Sequence, residues 1–173
     1  MQNKRGIPQT FGPVAAGIRL RRATVFDVFD MSQILTRSIR DLCSADHSDD
    51  PKLVSLWTAN KDPQNIRTWI TSGAELWLAK SSGRPAAVGG LAHGNTISLL
   101  YVDPDHVRQG VGAALLACLE RELARTGCAE AHLDATKTAQ GFYAAQGWQP
   151  AGPAAHWNGI PQFPMRKSLH PAR

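Results

Sequence analysis

Apolar residues recur along this chain at two different spacings, and the changes between them mark out its elements. Val28, Met31, Leu35, Ile39 and Leu42 step by three and four positions, which places them on one face of a helix. A short strand is expected just before, at Ile18–Arg22. The segment Cys43–Pro51 (CSADHSDDP) breaks the helical stripe, and Pro51 stands where a new helix can begin. Short helices are expected over Pro51–Thr58 and Pro63–Thr71. The pattern then shortens to strand length at Glu75–Lys80, Ala86–Ala92 and Thr96–Val102, separated by the turns SSGRP and His93-Gly94-Asn95, an antiparallel arrangement. From Gly110 the helical period returns in Val111, Leu115, Leu116, Leu119 and Leu123, and Gly127 ends it. Ala129–Ala135 is expected as a strand and Thr138–Gln146 as a helix stopped by Gly147. Residues 148–168 hold two more strands, interrupted by Pro150, Pro153, Pro161 and Pro164. Residues 1–17 show no period and are rich in Gly, Pro, Gln and Asn, as a flexible tail would be. The pattern is that of one mixed α/β domain over 18–168, with a second short tail at 169–173.

Composition narrows the class. The chain has 173 residues, 43% of them hydrophobic and 19% charged, enough for one core and too apolar for overall disorder. No apolar run approaches the roughly 20 residues of a membrane helix. The first residues lack the apolar stretch of a secretory signal. Cys43, Cys118 and Cys128 form no CxxC pair and leave one over in any pairing, so reduced thiols in a cytoplasmic protein are expected. The net charge of +5 comes from scattered basic residues rather than a stripe interleaved with aromatics. No nucleic-acid partner is therefore expected.

The segment richest in chemistry is Leu99–Leu116, LLYVDPDHVRQGVGAALL. A strand leads through a loop into a helix that starts with glycines. Unpaired N–H groups at such a start, with Gly110 and Gly112 allowing close approach, make a cradle for a pyrophosphate, and Arg108 adds a positive charge. No GxxxxGK[ST] is present, and the preceding hairpin does not suit a dinucleotide-binding βαβ unit. A plain strand–turn–helix is the simpler reading of the glycines alone.

Tyr101-Val102-Asp103-Pro104 followed by Arg108-Gln109-Gly110-Val111-Gly112-Ala113-Ala114-Leu115-Leu116 resembles the acetyl-CoA motif of the GNAT superfamily of N-acetyltransferases. Downstream, Thr136-Lys137-Thr138-Ala139 and Phe142-Tyr143-Ala144-Ala145-Gln146-Gly147-Trp148 resemble the family's Asn-x-x-Ala…Tyr-x-x-x-Gly-Phe segment. Three positions depart from the pattern. Val107 stands where Gln or Arg is usual, Thr136 where Asn is common, and Trp148 where Phe is usual. The resemblance implies a mixed, mostly antiparallel twisted sheet of six or seven strands flanked by helices. It also implies acetyl transfer from acetyl-CoA to an amine, with no metal. By the same resemblance Leu100, Tyr101 and Val102 pair with the pantetheine arm. Arg108, Gln109, Gly110, Val111, Gly112 and Ala113 hold the pyrophosphate, Thr136 meets the pantetheine, and Tyr143 is the general acid.

Other residues leave alternatives open. The general base is unassigned, with His93, His132, Asp134 and His156 as candidates. Asp46, His47, Asp49 and Asp50 form an acidic cluster that could attract a cationic acceptor, although a solvated loop is the plainer reading. Trp57 and Trp157 are candidates to line an acceptor pocket, whereas Trp69 and Trp77 fit a core. With no extra module for a protein partner, a small-molecule amine is the first choice of acceptor. Acetylation of a protein, or acyl-CoA binding without turnover, are the alternatives, and a homodimer is left open.

Overall fold

The structure, a computed structural model, describes residues 17–169. The expected N-terminal tail thus lies outside the described residues except for Gly17, and the C-terminal one except for Leu169. Leu169 is buried, and its N–H donates to the Ala129 carbonyl at 2.8 Å, so the packed chain runs one residue past 168.

Strand β1 (Ile18–Arg22) leads into a 3₁₀ turn, Val25–Asp27, and then α1 (Val28–Leu42). Arg21 grips the buried Asp27 carboxylate with two hydrogen bonds of 2.7 and 2.8 Å, which fixes the angle at which α1 leaves the strand. The segment expected only as a break contains a one-turn helix, α2 (Ser44–His47). Helices α3 (Pro51–Thr58) and α4 (Pro63–Thr71) follow. Each begins with proline, after an aspartate (Asp50, Asp62) whose carboxylate accepts from backbone N–H groups of the first turn.

The rest alternates between sheet and helix: β2 (Glu75–Ser81), β3 (Arg84–Ala92), β4 (Thr96–Val102), α5 (Val111–Arg125), β5 (Glu130–Ala135), α6 (Gln140–Ala145), β6 (Gln149–Pro150), β7 (Ala155–Trp157) and β8 (Ile160–Ser168). Eight strands form the sheet, where six or seven were expected, in the order β1-β2-β3-β4-β5-β8-β6, with β7 also paired to β8. The additional strand comes from the proline-rich end, where β6 and β7 are too short to leave a periodic pattern. Every neighbouring pair is antiparallel except β4 and β5.

Both faces of the sheet centre are covered, so β2 reads as a continuous apolar run. Leu76 and Leu78 pack under α1 and α4 with Met31, Leu35 and Ile66. Trp77 and Ala79 face α5 with Leu115 and Leu119. Gly89 of β3 allows α5 to sit close, because a Cβ there would lie 3.0 Å from a Leu119 methyl.

Candidate active site

Strands β4 and β5 run parallel but pair only at Thr96 and His132, where the His132 N–H donates to Asn95 at 2.8 Å. Beyond that point they separate and leave a cleft of about 260 Å³ in the middle of the sheet. Ile97–Val102 of β4 form one wall, and Leu133 and Asp134 of β5 begin the other. Thr136, Thr138, Phe142 and Tyr143 continue that second wall, while Ser38, Leu42 and Cys43 close the cleft from the end of α1. On its other edge, β4 carries a bulge. Gly90 pairs with Leu99 and Leu91 with Ile97, so Ser98 is an extra residue. A Cβ on Gly90 would lie 2.9 Å from Ser98 Oγ. A Gly-Gly pair inside a strand pattern was the available signal for this kink, and the sequence reading passed over it.

At the end of β4, Asp103 is buried and receives Arg37 of α1 at 2.8 and 3.0 Å. Its carboxylate also accepts from Asp105 N–H at 3.0 Å, starting the 3₁₀ turn Pro104–His106. The chain then takes positive φ at Arg108 (59°) and Gly110 (78°) before entering α5. Arg108 adopts this conformation at some cost, and glycine adopts it freely. As a result, the first hydrogen bond of α5 runs from Ala114 to Gly110, and the N–H groups of residues 108–113 have no partner among the described residues. These are donors at a helix N-terminus, where the peptide dipoles also favour an anion.

The predicted cofactor residues divide into two groups here. Leu100, Tyr101, Val102, Gly112 and Thr136 line the cleft. Arg108, Gln109, Gly110, Val111 and Ala113 form the helix start at its end. Besides Gly110 and Ala113, which have no polar side chain, two more of these positions offer only backbone. Val111 is buried in the core, and the Gln109 amide folds back onto the Asp105 carbonyl at 3.0 Å. Gly112 is a packing glycine, since a Cβ there would lie 3.2 Å from a Val102 methyl. The Thr136 hydroxyl accepts from the Ala139 N–H at 3.2 Å.

Tyr143 of α6 lines the cleft and is buried, held edge-on between Phe142 (5.2 Å between ring centres) and Trp148 (6.0 Å). Trp148 is itself tethered, its indole N–H donating to Glu120 at 2.9 Å beside the Lys167 ammonium. Burial, with a smaller contribution from Tyr101, pushes the Tyr143 hydroxyl well above its ordinary range. Burial likewise pushes the Tyr101 hydroxyl up to about 12, although the indole N–H of Trp57 donates to it at 3.2 Å and opposes the shift. The Cys43 thiol is pushed to about 12 by burial and by the nearby Asp46 charge. All three stay protonated at neutral pH. They can give a proton but are poor bases.

Of the four base candidates, Asp134 alone lines the cleft. His93 is exposed in the β3–β4 turn, His156 is exposed on β7, and His132 points to Glu130 at 3.3 Å. The acidic cluster is not a solvated loop throughout, because Asp46 and His47 are both buried. The His47 ring bridges the Ile39 carbonyl (2.9 Å) and the Asp49 N–H (3.0 Å), which defines it as the Nε2–H tautomer. Trp57 packs behind Tyr101 with Ile39, Cys43 and Ile160 and does not line the cleft; neither does Trp157, exposed on β7. Trp77 is core and Trp69 half-buried at its edge. Among the described residues, no group of three or more His, Cys, Asp or Glu side chains is placed to hold a metal ion, and no helix is long and apolar enough to cross a membrane.

A sheet opened between two parallel neighbours, with a helix start free to bind an anion at the end of the opening, is the architecture of the N-acetyltransferase fold. The Acetyltransferase (GNAT) domain matches residues 44–169, and the chain belongs to that family. It is similar to an uncharacterized N-acetyltransferase, YafP, of Escherichia coli, with 27% identity over 133 residues, 76% of this chain and 81% of that protein. Its structure resembles a GCN5-related N-acetyltransferase from Rhodopseudomonas palustris with a TM-score of 0.77 and 28% identity, covering 87% of this chain and 94% of that one. It also shares its fold with the PaiA N-acetyltransferase of Thermoplasma acidophilum, solved in complex with coenzyme A (TM-score 0.71, 14% identity, 88% and 99% covered).

Proposed function

We propose that this protein transfers the acetyl group of acetyl-CoA to a primary amine of a small molecule. The observation that carries the proposal is the row of unpartnered N–H groups at 108–113, placed at the end of a cleft between separated strands. Those donors suit a pyrophosphate, and the open edge of β4 at Leu100–Val102 offers backbone groups to the amides of a pantetheine arm. Acetyl-CoA supplies an activated thioester. The neutral acceptor nitrogen bonds to the acetyl carbon, the carbon–sulfur bond breaks, and Tyr143 gives its proton to the departing sulfur; the proton that nitrogen releases passes to solvent at the open side of the cleft, and solvent returns one to Tyr143. Asp134, the one carboxylate among the described residues that line the cleft, draws a cationic amine to the open side. A small acceptor suits a half-open cleft of about 260 Å³ that must also take the pantetheine arm, because little room is left there for a polypeptide.

Titration calorimetry with acetyl-CoA, followed by thiol release with a panel of primary amines, tests this reading. Saturable acetyl-CoA binding and turnover with one or more amines is the expected result. Tyr143→Phe is expected to keep acetyl-CoA binding and lose about a hundredfold in turnover, the usual scale for a positioned general acid. Absence of acetyl-CoA binding overturns the proposal, and turnover only with peptide N-termini or lysines overturns the small-molecule acceptor.

A further inference from the structure

The side chain that joins the helical wall of the cleft to its far side is Asp46, a residue outside both sequence motifs. It lies on α2, two positions before the buried turn ends at Ser48, and is itself buried. Its carboxylate leaves its own element and accepts three hydrogen bonds from a segment about ninety positions along the chain. The Lys137 N–H donates to Oδ1 at 2.6 Å, the Thr138 N–H to Oδ2 at 3.2 Å, and the Thr138 hydroxyl to Oδ2 as well. These three bonds are the side-chain hydrogen bonds from α1–α4 to the β5–α6 turn among the described residues. All three converge on one buried carboxylate, and hydrogen bonds to a carboxylate are among the stronger kind.

The turn that Asp46 holds carries the cleft groups of that wall. Thr136, Thr138 and Ala139 line the cleft, and α6 starts one residue later and presents Phe142 and Tyr143. Two further donors bond within the segment, Ala139 and Gln140 N–H both reaching the Thr136 carbonyl at 3.1 Å. Without Asp46, two backbone N–H groups lose their partners and the turn loses its anchor to α2, beside the α1 end that closes the cleft. Helix α6 has only six residues, too few to hold itself in place.

We infer that Asp46 is a positioning residue of the acetyltransferase site: by clamping the Thr136–Ala139 turn to α2, it sets the width of the cleft into which acetyl-CoA binds. The inference rests on the proposed co-substrate. It predicts a defect in co-substrate affinity beyond what lost stability explains, whereas a purely structural role predicts lost stability alone.

The test compares the wild-type chain with Asp46→Ala, Asp46→Asn and Ile66→Val. The last is a core substitution on the buried face of α4, outside the cleft lining, that lowers stability without touching the turn. Acetyl-CoA affinity is measured by calorimetry well below each melting temperature, with amide hydrogen exchange of the 136–146 segment followed in parallel. Asp46→Ala is expected to weaken acetyl-CoA binding at least tenfold and to expose the Lys137 and Thr138 amides. Asp46→Asn keeps one acceptor oxygen and is expected to fall in between, at least threefold weaker. Ile66→Val is expected to bind as the wild type does. Should Asp46→Ala fail to fold, Asp46→Asn decides the matter. Wild-type affinity in the folded Asp46 variants overturns the inference while leaving the co-substrate reading intact. An equal loss in Ile66→Val also overturns it. Failure of the wild-type chain to bind acetyl-CoA removes the co-substrate reading, and the inference with it.

Discussion

Replacing Gly90 by alanine tests how closely β3 and the bulged β4 approach each other. The new Cβ would stand 2.9 Å from Ser98 Oγ, 3.0 Å from a Leu76 methyl and 3.3 Å from Leu99 Cβ. The first two are ends of side chains that can rotate, although Leu76 is buried and has little room. The third is fixed to the β4 backbone, so the strand itself must yield by a few tenths of an ångström. Overpacking of this kind costs about 1–3 kcal/mol. Alanine recovers about 0.5–1 kcal/mol by restricting the unfolded chain. A net loss of about 0.5–2 kcal/mol remains, which at about 2–4 °C per kcal/mol for a chain of this size lowers the melting temperature by roughly 1–8 °C. Urea and thermal unfolding measure it. Gly94→Ala is the informative comparison, because nothing lies within 4 Å of that position and only its φ of +72° opposes a side chain. Both variants are destabilised, but only Gly90→Ala is expected to couple to Ser98. In a cycle with Ser98→Gly, the double variant should regain about 0.5 kcal/mol or more over additivity, as contacting residues do. Wild-type stability in Gly90→Ala, or additivity in the cycle, refutes the claim that the bulge presses on β3.

Three further outcomes follow from the same geometry. The Cys43 thiol rises from 9.0 to about 12 and the Tyr101 hydroxyl from 10.0 to about 12, so the folded protein holds these protons more tightly than the unfolded chain does. Their stabilisation is complete below about pH 9 and drains away as pH rises towards 12, so urea midpoints should fall across that window; midpoints flat to pH 11 contradict this. Trp57→Phe removes the 3.2 Å bond to the Tyr101 hydroxyl and leaves most of the packing, for an expected loss of about 1 kcal/mol in chemical unfolding. Asp134→Asn should raise the KM of a cationic amine by up to about fivefold without changing acetyl-CoA affinity, as expected for a solvent-exposed charge pair worth up to about 1 kcal/mol; an unchanged KM would exclude Asp134 from acceptor binding.

Local order in the chain sufficed for most of the fold. The three-and-four spacing from Val28 to Leu42 can bury only as a helix, and the element found covers the same residues. The turns at SSGRP and His93-Gly94-Asn95 leave β2, β3 and β4 no economical connection other than hairpins. The glycine-bearing start of α5 also follows from local chemistry, because left-handed φ at Gly110 and missing acceptors in the first turn need no distant partner. The prolines near the end carried too little periodicity to separate β6, β7 and β8.

What lay beyond the sequence is whatever depends on residues meeting across the fold. The opening between β4 and β5 exists because two strands pair at one register position and then part, and neither strand's pattern records that it lacks a neighbour. Asp46 looked like one charge in a run of polar residues until α2 brought it against Lys137 and Thr138. Trp57 stood as a candidate for the pocket lining, yet the Tyr101 hydroxyl and Ile160, from two different strands, enclose it. Periodicity reports which face of an element is apolar, since that depends on neighbours three or four residues away. Which buried polar group finds a partner is decided by segments far apart in the chain, and only their packing supplies the partner.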